Sequence, residues 1–316
     1  MLISSLILTT ILAAQAPAAA QAPAAAPGEA AYLGRWNVEL TDTGDTFTGA
    51  GFQIDRKDGG LTGAIVWRWG SFAPVKSVLV QDGVLRIVRE DEPAKPELFE
   101  ARLEGGLLRG SVHYADGKLH HFEGRKAPAL AAKGAPVWGA PVALFDGKTL
   151  AGWRLRDSKA QNGWAVVNGE LAVVEPKGNA DLVSERVFQD QKLHVEFNVE
   201  PRSNSGVYLR GRYEIQILDN PDEKMARDSH GCGAVYSRIA PSAIAAKPAG
   251  EWQSLDVTMV GREITVVLNG TEIVKGIVDG ITGGAIDPFE DQPGPLMLQG
   301  DHGKVRFRNV VVTPAR

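Results

Sequence analysis

Between Asn204 and Asp219 the chain reads NSGVYLRGRYEIQILD. Read as one β-strand, it puts Tyr208, Arg210, Arg212, Glu214, Gln216 and Leu218 on one face and Val207, Leu209, Tyr213, Ile215 and Ile217 on the other. A carboxyl group that burial can tune toward neutral pH, next to a guanidinium whose donor fork can steady an anion, is a combination suited to proton transfer. The same row also fits a solvated face, with Glu214 ion-paired to Arg210 or Arg212. His230 lies in the loop Asp228-Ser229-His230-Gly231, within a long connection after Asp219 that could act as a lid. No pair of histidines has the spacing of a zinc motif, so no metal site and no cofactor are read from local pattern. Carboxylates scattered over several strands leave room for a divalent cation.

The elements that must hold these groups are short strands. The chain has 316 residues, 44% hydrophobic and 23% charged, enough for two domains of moderate size. A net charge of -4 with no basic run argues against nucleic acid as a partner. Cys232 is the only cysteine, so no internal disulfide can form, and its place between two glycines suits packing better than nucleophilic chemistry.

Residues 1–16 read as a secretory signal: an apolar block over 2–14, then an Ala-x-Ala step at Ala14-Gln15-Ala16. This gives a periplasmic or secreted address. Because no Lys or Arg precedes the block, an uncleaved anchor is the alternative and the only membrane contact expected. Residues 17–30 form an Ala/Pro linker.

Residues 31–127 carry eight short alternating runs separated by turns such as Asp58-Gly59, Asp82-Gly83 and Asp116-Gly117, the pattern of a small antiparallel β-barrel or sandwich. In it Trp36, Trp67 and Trp69 suit a core or a rim. A second Ala/Pro linker covers 128–141. Residues 142–316 again alternate as strands, one of them expected over Ala234 to Ser237, and imply two packed sheets, a sandwich or jelly roll. The fold class is therefore all-β, without helical periodicity at any length.

Several blocks in this second region resemble one family. They are Leu144-Phe145-Asp146-Gly147-Lys148 with Gly152-Trp153, Asn204-Ser205-Gly206 with Leu209-Arg210, Tyr213 through Asp219, and Gly233-Ala234-Val235-Tyr236. Further on come Glu251-Trp252-Gln253, Leu268-Asn269-Gly270, and Gly294-Pro295-Leu296 running through Gln299, His302-Gly303 and Phe307-Arg308-Asn309. In that order they resemble the domain of unknown function 1080 family, also called the 3-keto-disaccharide hydrolase domain. The resemblance implies a concanavalin-like jelly roll and chemistry on sugars already oxidised at C3.

On such a sugar the ketone acidifies the C2 proton. A base removes it, an enolate forms, and the C1 substituent leaves by β-elimination, with or without later addition of water. That needs a base near C2, donors or a cation at the C3 oxygen, and an acid for the departing oxygen. Within the resembling blocks, Glu214 and His302 suit proton transfer and Arg210 suits the enolate charge. Asn204, Gln216, Asp219, His230, Tyr236 and Gln299 fall to substrate binding, although Asp219 has the opposite strand parity from Glu214. The expected partner is thus a 3-keto-glycoside, and nothing in the sequence fixes an oligomeric state.

Two other readings remain. A retaining glucanase on the same sandwich needs paired carboxylates, typically Glu-x-Asp-x-x-Glu on one strand, which occurs nowhere in the chain. A non-catalytic carbohydrate-binding protein would stack Trp153, Trp164 or Trp252 on pyranose faces.

Overall fold

The computed structural model describes residues 28–44, 48–90, 95–130, 134–220 and 222–316. The expected signal and most of the first linker lie outside the described residues. Among the described residues, no helix is long and apolar enough to cross a membrane.

Almost every described element is a strand, because apolar residues recur at every second position. The first part is one nine-stranded antiparallel sheet. In spatial order its strands are Ala73–Pro74, Gly60–Trp67, Gly49–Lys57, Gly34–Leu40, Leu119–Lys126, Leu107–His113, Glu97–Glu104, Val84–Arg89 and Ser77–Gln81. At Asp58-Gly59 and Asp82-Gly83 both residues have positive φ, the conformation that tight hairpins demand and that Asp-Gly supplies at little cost. The sheet curls until Gly63 lies against Val75 and Val78 near its other edge, where a Cβ would come 3.1 Å from a Val78 methyl. One core fills the curl, built on Trp36, Phe52, Trp67, Phe99 and Phe122. The Trp67 and Phe99 rings meet edge-on at 4.8 Å.

The second part is a jelly-roll sandwich of two antiparallel sheets. The larger has eight strands. Seven run in the order Trp164–Val167, Glu170–Val173, Val305–Pro314, Gln191–Val199, Gln253–Val260, Glu263–Leu268 and Thr271–Ile277, with Val142–Ala143 beside Val305–Pro314. The smaller has five: Trp153–Leu155, Leu182–Phe188, Gly294–Leu298, Asn204–Leu209 and Tyr213–Leu218. Phe197, Val257 and Phe307 of the larger sheet join Val207, Ile215, Ile217, Leu296 and Leu298 of the smaller in one buried core. The polar side chains of the smaller sheet project from its opposite face.

Three local expectations are corrected. The stretch from Asn204 to Asp219 is a hairpin, not one strand: Asn204–Leu209 pairs with Tyr213–Leu218, Tyr208 opposite Glu214 and Gly206 opposite Gln216. Arg210 and Gly211 both take positive φ at the turn. Ile286 packs so closely on Gly211 that a Cβ there would lie 2.6 Å from its Cδ1, which is why a glycine sits at this position. Ala234 to Ser237 makes only isolated bridges through Val235, because the chain turns back at Ser237 with positive φ. A one-turn helix, Glu223–Ala226, also forms in the connection after Asp219, capped where Asp222 accepts from the Met225 N–H.

The segment 278–293 lies between the two parts and ties them together. Glu290, fully buried, accepts from Arg35 at 2.7 Å, from Arg262 at 3.1 Å and from the Tyr213 hydroxyl at 2.8 Å. Arg35 belongs to the curled sheet and the other two residues to the sandwich. Removing one member of such a buried charge cluster leaves the rest uncompensated, so the seam is specified by charge as well as by shape.

Candidate functional site

Hairpin register decides which side chains converge. Because even-numbered residues pair with even-numbered residues across the turn, Asn204, Tyr208, Glu214 and Gln216 still emerge on one face. They line a cavity of about 460 Å³ together with Tyr236, Gln299, Asp301 and His302 from the sandwich, Gly283 and Gly284 from the segment 278–293, and Trp69 from the curled sheet.

Glu214 is almost fully buried. Room for its carboxylate comes from the missing side chain diagonally across the hairpin: a Cβ on Gly206 would lie 2.4 Å from Glu214 Oε1. Burial pushes the Glu214 carboxyl up to about 8, against the opposing hydrogen bond from Tyr208 and the nearby His302. The Tyr208 hydroxyl is itself held well above its ordinary range by burial and by Glu214, so it stays a neutral donor. Tyr236 is shifted the same way, burial first and Glu214 last among the causes.

His302 arrives on the loop after Gly294–Leu298, and that loop is fixed at three points. The Gln299 N–H donates to Gly206 O at 2.9 Å, the Ser205 hydroxyl to Gln299 O at 2.8 Å, and the Gly300 N–H to Asp181 Oδ1 at 3.0 Å. Asp181 is buried, pushed up to about 6 by that burial, and faces Arg156 at 3.3 Å. His302 Nδ1 lies 2.5 Å from Asp301 Oδ1. That hydrogen bond raises the imidazole, partial burial opposing it, and aligns the ring so that Nε2 is left for chemistry. Asp301 is lowered despite its burial, chiefly by the same hydrogen bond.

Three buried amide oxygens in this cavity, Asn204 Oδ1, Gln216 Oε1 and Gln299 Oε1, have no hydrogen-bond partner within the protein. Buried acceptors without partners are uncommon, and three around one cavity suit a ligand with several hydroxyl donors.

Six of the expected residues therefore share the cavity: Asn204, Glu214, Gln216, Tyr236, Gln299 and His302. Arg210 does not. It sits in the turn, where Nε donates to Gln189 O at 2.8 Å and the guanidinium reaches Asp190 and Gly261 O at 3.2 and 2.9 Å. Arg212 likewise turns to Asp287 at 2.6 Å, so neither arginine pairs with Glu214. Asp219 is a turn residue that accepts from the Arg202 N–H at 2.8 Å. His230 stands one layer behind the wall. Its Nδ1 lies 2.5 Å from Asp228, its Nε2 lies 2.9 Å from Ser71 Oγ, and Ser71 Oγ lies 3.2 Å from the Tyr236 hydroxyl. The order Asp–His–Ser is that of an acyl-transfer triad, but here it continues to Tyr236 and so anchors a hydroxyl of the cavity wall.

The tryptophans proposed as sugar platforms do not serve as such. Trp153 and Trp164 are buried in the sandwich core, and Trp252 packs under Arg308 at 4.0 Å. Trp69, 57% exposed, lines the cavity instead. Sequence reasoning also missed Tyr208 as a working group, although it lay on the polar face, and missed Asp301, whose signal was its place beside His302. Nothing in the local sequence pointed to Asp181 or Gly283. Among the described residues, no cluster of three His, Cys, Asp or Glu side chains is placed to hold a metal ion.

The fold and this cavity define a jelly-roll protein with a polar, ligand-sized cavity on its smaller sheet. The chain belongs to the 3-keto-alpha-glucoside-1,2-lyase-like domain family, which it matches over residues 140–313, more than half its length. It is 26% identical over 148 residues to a 3-keto-disaccharide hydrolase of Bacteroides thetaiotaomicron. That alignment takes in 37% of this chain and 51% of the relative, so the chain spans about half the length of the curated relative it matches. Two crystal structures from Parabacteroides distasonis, both described as candidate glycosyl hydrolases, are also similar. One is 27% identical with a TM-score of 0.46, covering 55% of this chain and 83% of its own. The other is 20% identical with a TM-score of 0.47, covering 56% and 94%.

Proposed function

We propose that the protein cleaves 3-keto-glycosides by removing the C2 proton and eliminating the C1 substituent. The observation that supports this most directly is the Glu214 carboxyl, pushed up to about 8 in a cavity that it shares with the Asp301–His302 pair. A carboxylate with that proton affinity is a far stronger base than an exposed one.

Glu214 and His302 titrate together, and over the neutral range they share one proton. In the reactive arrangement Glu214 is ionised and His302 is protonated. Glu214 takes the C2 proton, and the electron pair of that C–H bond passes into the C2–C3 enolate. The enolate then reforms the ketone, its electrons making the C1–C2 double bond as the C1–O bond breaks. His302 Nε2 gives its proton to the departing oxygen, and Asp301 steadies the imidazolium beforehand. The products are the free alcohol and an unsaturated 3-keto sugar, to which water can add across C1 and C2.

Arg210 cannot reach the developing enolate, so its intended role passes to neutral hydroxyls. Tyr236, tied from behind by Ser71 and His230, is the donor we assign to the C3 oxygen, in the manner of an oxyanion site. Asn204, Gln216 and Gln299 receive the sugar hydroxyls through their unpartnered oxygens. Every role is thus given to a side chain, and none to a cofactor. The apolar block at 2–14 supports a periplasmic or secreted enzyme, which the N-terminal mass of protein recovered from the periplasm or medium would check.

The test is to incubate the purified protein with a 3-keto-glucoside and with the matching plain glucoside while following aglycone release. Release from the keto substrate alone is expected. Release from both, or binding of both without release, would reject the elimination reading.

A further inference from the structure

The curled sheet lies outside the family match, yet it supplies part of the cavity wall. The turn Arg68–Gly70 that carries Trp69 is not loosely apposed to the sandwich. The Gly284 N–H donates to Arg68 O at 2.9 Å, and a Cβ on Gly283 would lie 2.3 Å from Gly70 O. Only glycine allows the two backbones to come this close, so the position of Trp69 relative to Glu214 is built into the seam. The Arg68 guanidinium stacks on the Trp69 ring, 3.7 Å from its centroid, and holds the indole in one orientation.

Trp69 also borders a second cavity, of about 600 Å³, whose other walls all belong to the curled sheet. It is not the lumen of the curl, which Phe52, Phe99, Phe122 and Trp67 fill. It opens at the mouth, with Trp67 and Tyr114 as an aromatic floor and Asp116, Lys118 and His120 around it. The floor is rigid: Trp67 Nε1 donates to the Tyr114 hydroxyl at 2.8 Å, and the Tyr114 and His120 rings meet edge-on at 5.8 Å. Aromatic surface rimmed by charged donors and acceptors is the chemistry that holds a sugar ring, and both cavities fall in the size range of small-ligand sites.

From these observations, and resting on the elimination reading above, we infer that the curled sheet provides the subsite for the sugar released from C1, with Trp69 as the wall between it and the reacting ring. The substrate class is then a 3-keto-disaccharide or longer glycoside rather than a small alkyl glycoside. The oxidised ring lies against Tyr208, Glu214 and His302, and the leaving sugar passes over Trp69 onto Tyr114. Binding energy from that remote ring is available to orient C1 and C2 at the acid and base.

The experiment measures kcat/KM for a 3-keto-disaccharide and for the corresponding methyl 3-keto-glucoside, and takes their ratio, in the full-length protein and in Trp69→Ala and Asp116→Ala. Trp69→Ala is expected to lower the ratio about tenfold and Asp116→Ala about threefold, in line with losing one or two sugar contacts. A ratio unchanged in both variants overturns the subsite. A parallel titration calorimetry arm uses the unoxidised disaccharide. Weaker binding in both variants than in the parent protein supports the subsite, and absence of binding to the parent overturns it. If the parent turns over neither keto substrate, the elimination reading fails, and the calorimetry alone decides the subsite.

Discussion

Tyr208 and Glu214 are direct partners across the hairpin, and their strand pairing sets the tyrosine hydroxyl beside the buried carboxyl, where each shifts the other's proton affinity. One antiparallel register thereby sets both the location of the carboxyl group and a donor to hold it. The glycine diagonal to this pair, Gly206, leaves the space into which the carboxylate folds.

Glu214→Gln and His302→Ala are each expected to lower kcat on a 3-keto-glucoside at least about a hundredfold, the scale of losing a general base or acid. Circular dichroism should show the fold retained in both. Rates within a few-fold of the parent in both variants would take these residues out of the chemistry.

The pH dependence follows from the shared proton. At low pH both Glu214 and His302 are protonated and no base is present; at high pH both have lost their protons and no acid is present. A bell-shaped profile of kcat/KM is therefore expected, its alkaline limb falling as pH passes through about 8, the value to which burial lifts Glu214. Rates that climb without a break through that region would argue against the pairing.

Glu214 also marks the stability curve. Its folded proton affinity is raised, so its contribution is fully present below the ordinary glutamate range, near 4.5, and is lost as pH rises toward about 8. Glu214→Gln removes the penalty, and its melting temperature relative to the parent should rise steadily over that window. A difference independent of pH would mean that the carboxyl is not held protonated in the folded protein.

Arg210→Met tests the reassignment of the arginine. Loss of its bonds to Gln189, Asp190 and Gly261 should destabilise the fold by on the order of 2 kcal/mol, seen in urea titration, while kcat stays within about threefold of the parent. A large fall in kcat at unchanged stability would return Arg210 to the enolate.

Glu290→Gln probes the seam. With Arg35 and Arg262 left facing a neutral group, a loss of roughly 3 kcal/mol is expected, together with faster proteolytic cutting between the two parts. An unchanged cutting pattern would show that the charge cluster does not hold them.

The legible part of this molecule was whatever repeats locally. Alternation along the strands gave the all-β class and the polar face of the smaller sheet, and Asp-Gly pairs gave the tight turns. The hairpin at Arg210-Gly211 was hidden because its register keeps even residues with even ones, so the face stayed correct while the arginines in the turn swung away. Asp181 and Gly283 were not legible at all, and Trp69 was legible only as a core or rim aromatic, not as a wall of this cavity. Each matters through a contact with a segment far off in sequence, and no periodicity records such contacts.

The backbone junction between Gly70 and Gly283 carries a consequence for biosynthesis. Trp69 and Ser71 leave the ribosome well before Gly283, Gln299 and His302. The wall of the Glu214 cavity cannot close until both have been made, so a nascent or truncated chain holding only the curled sheet lacks Glu214 and His302 and with them the acid and base assigned above.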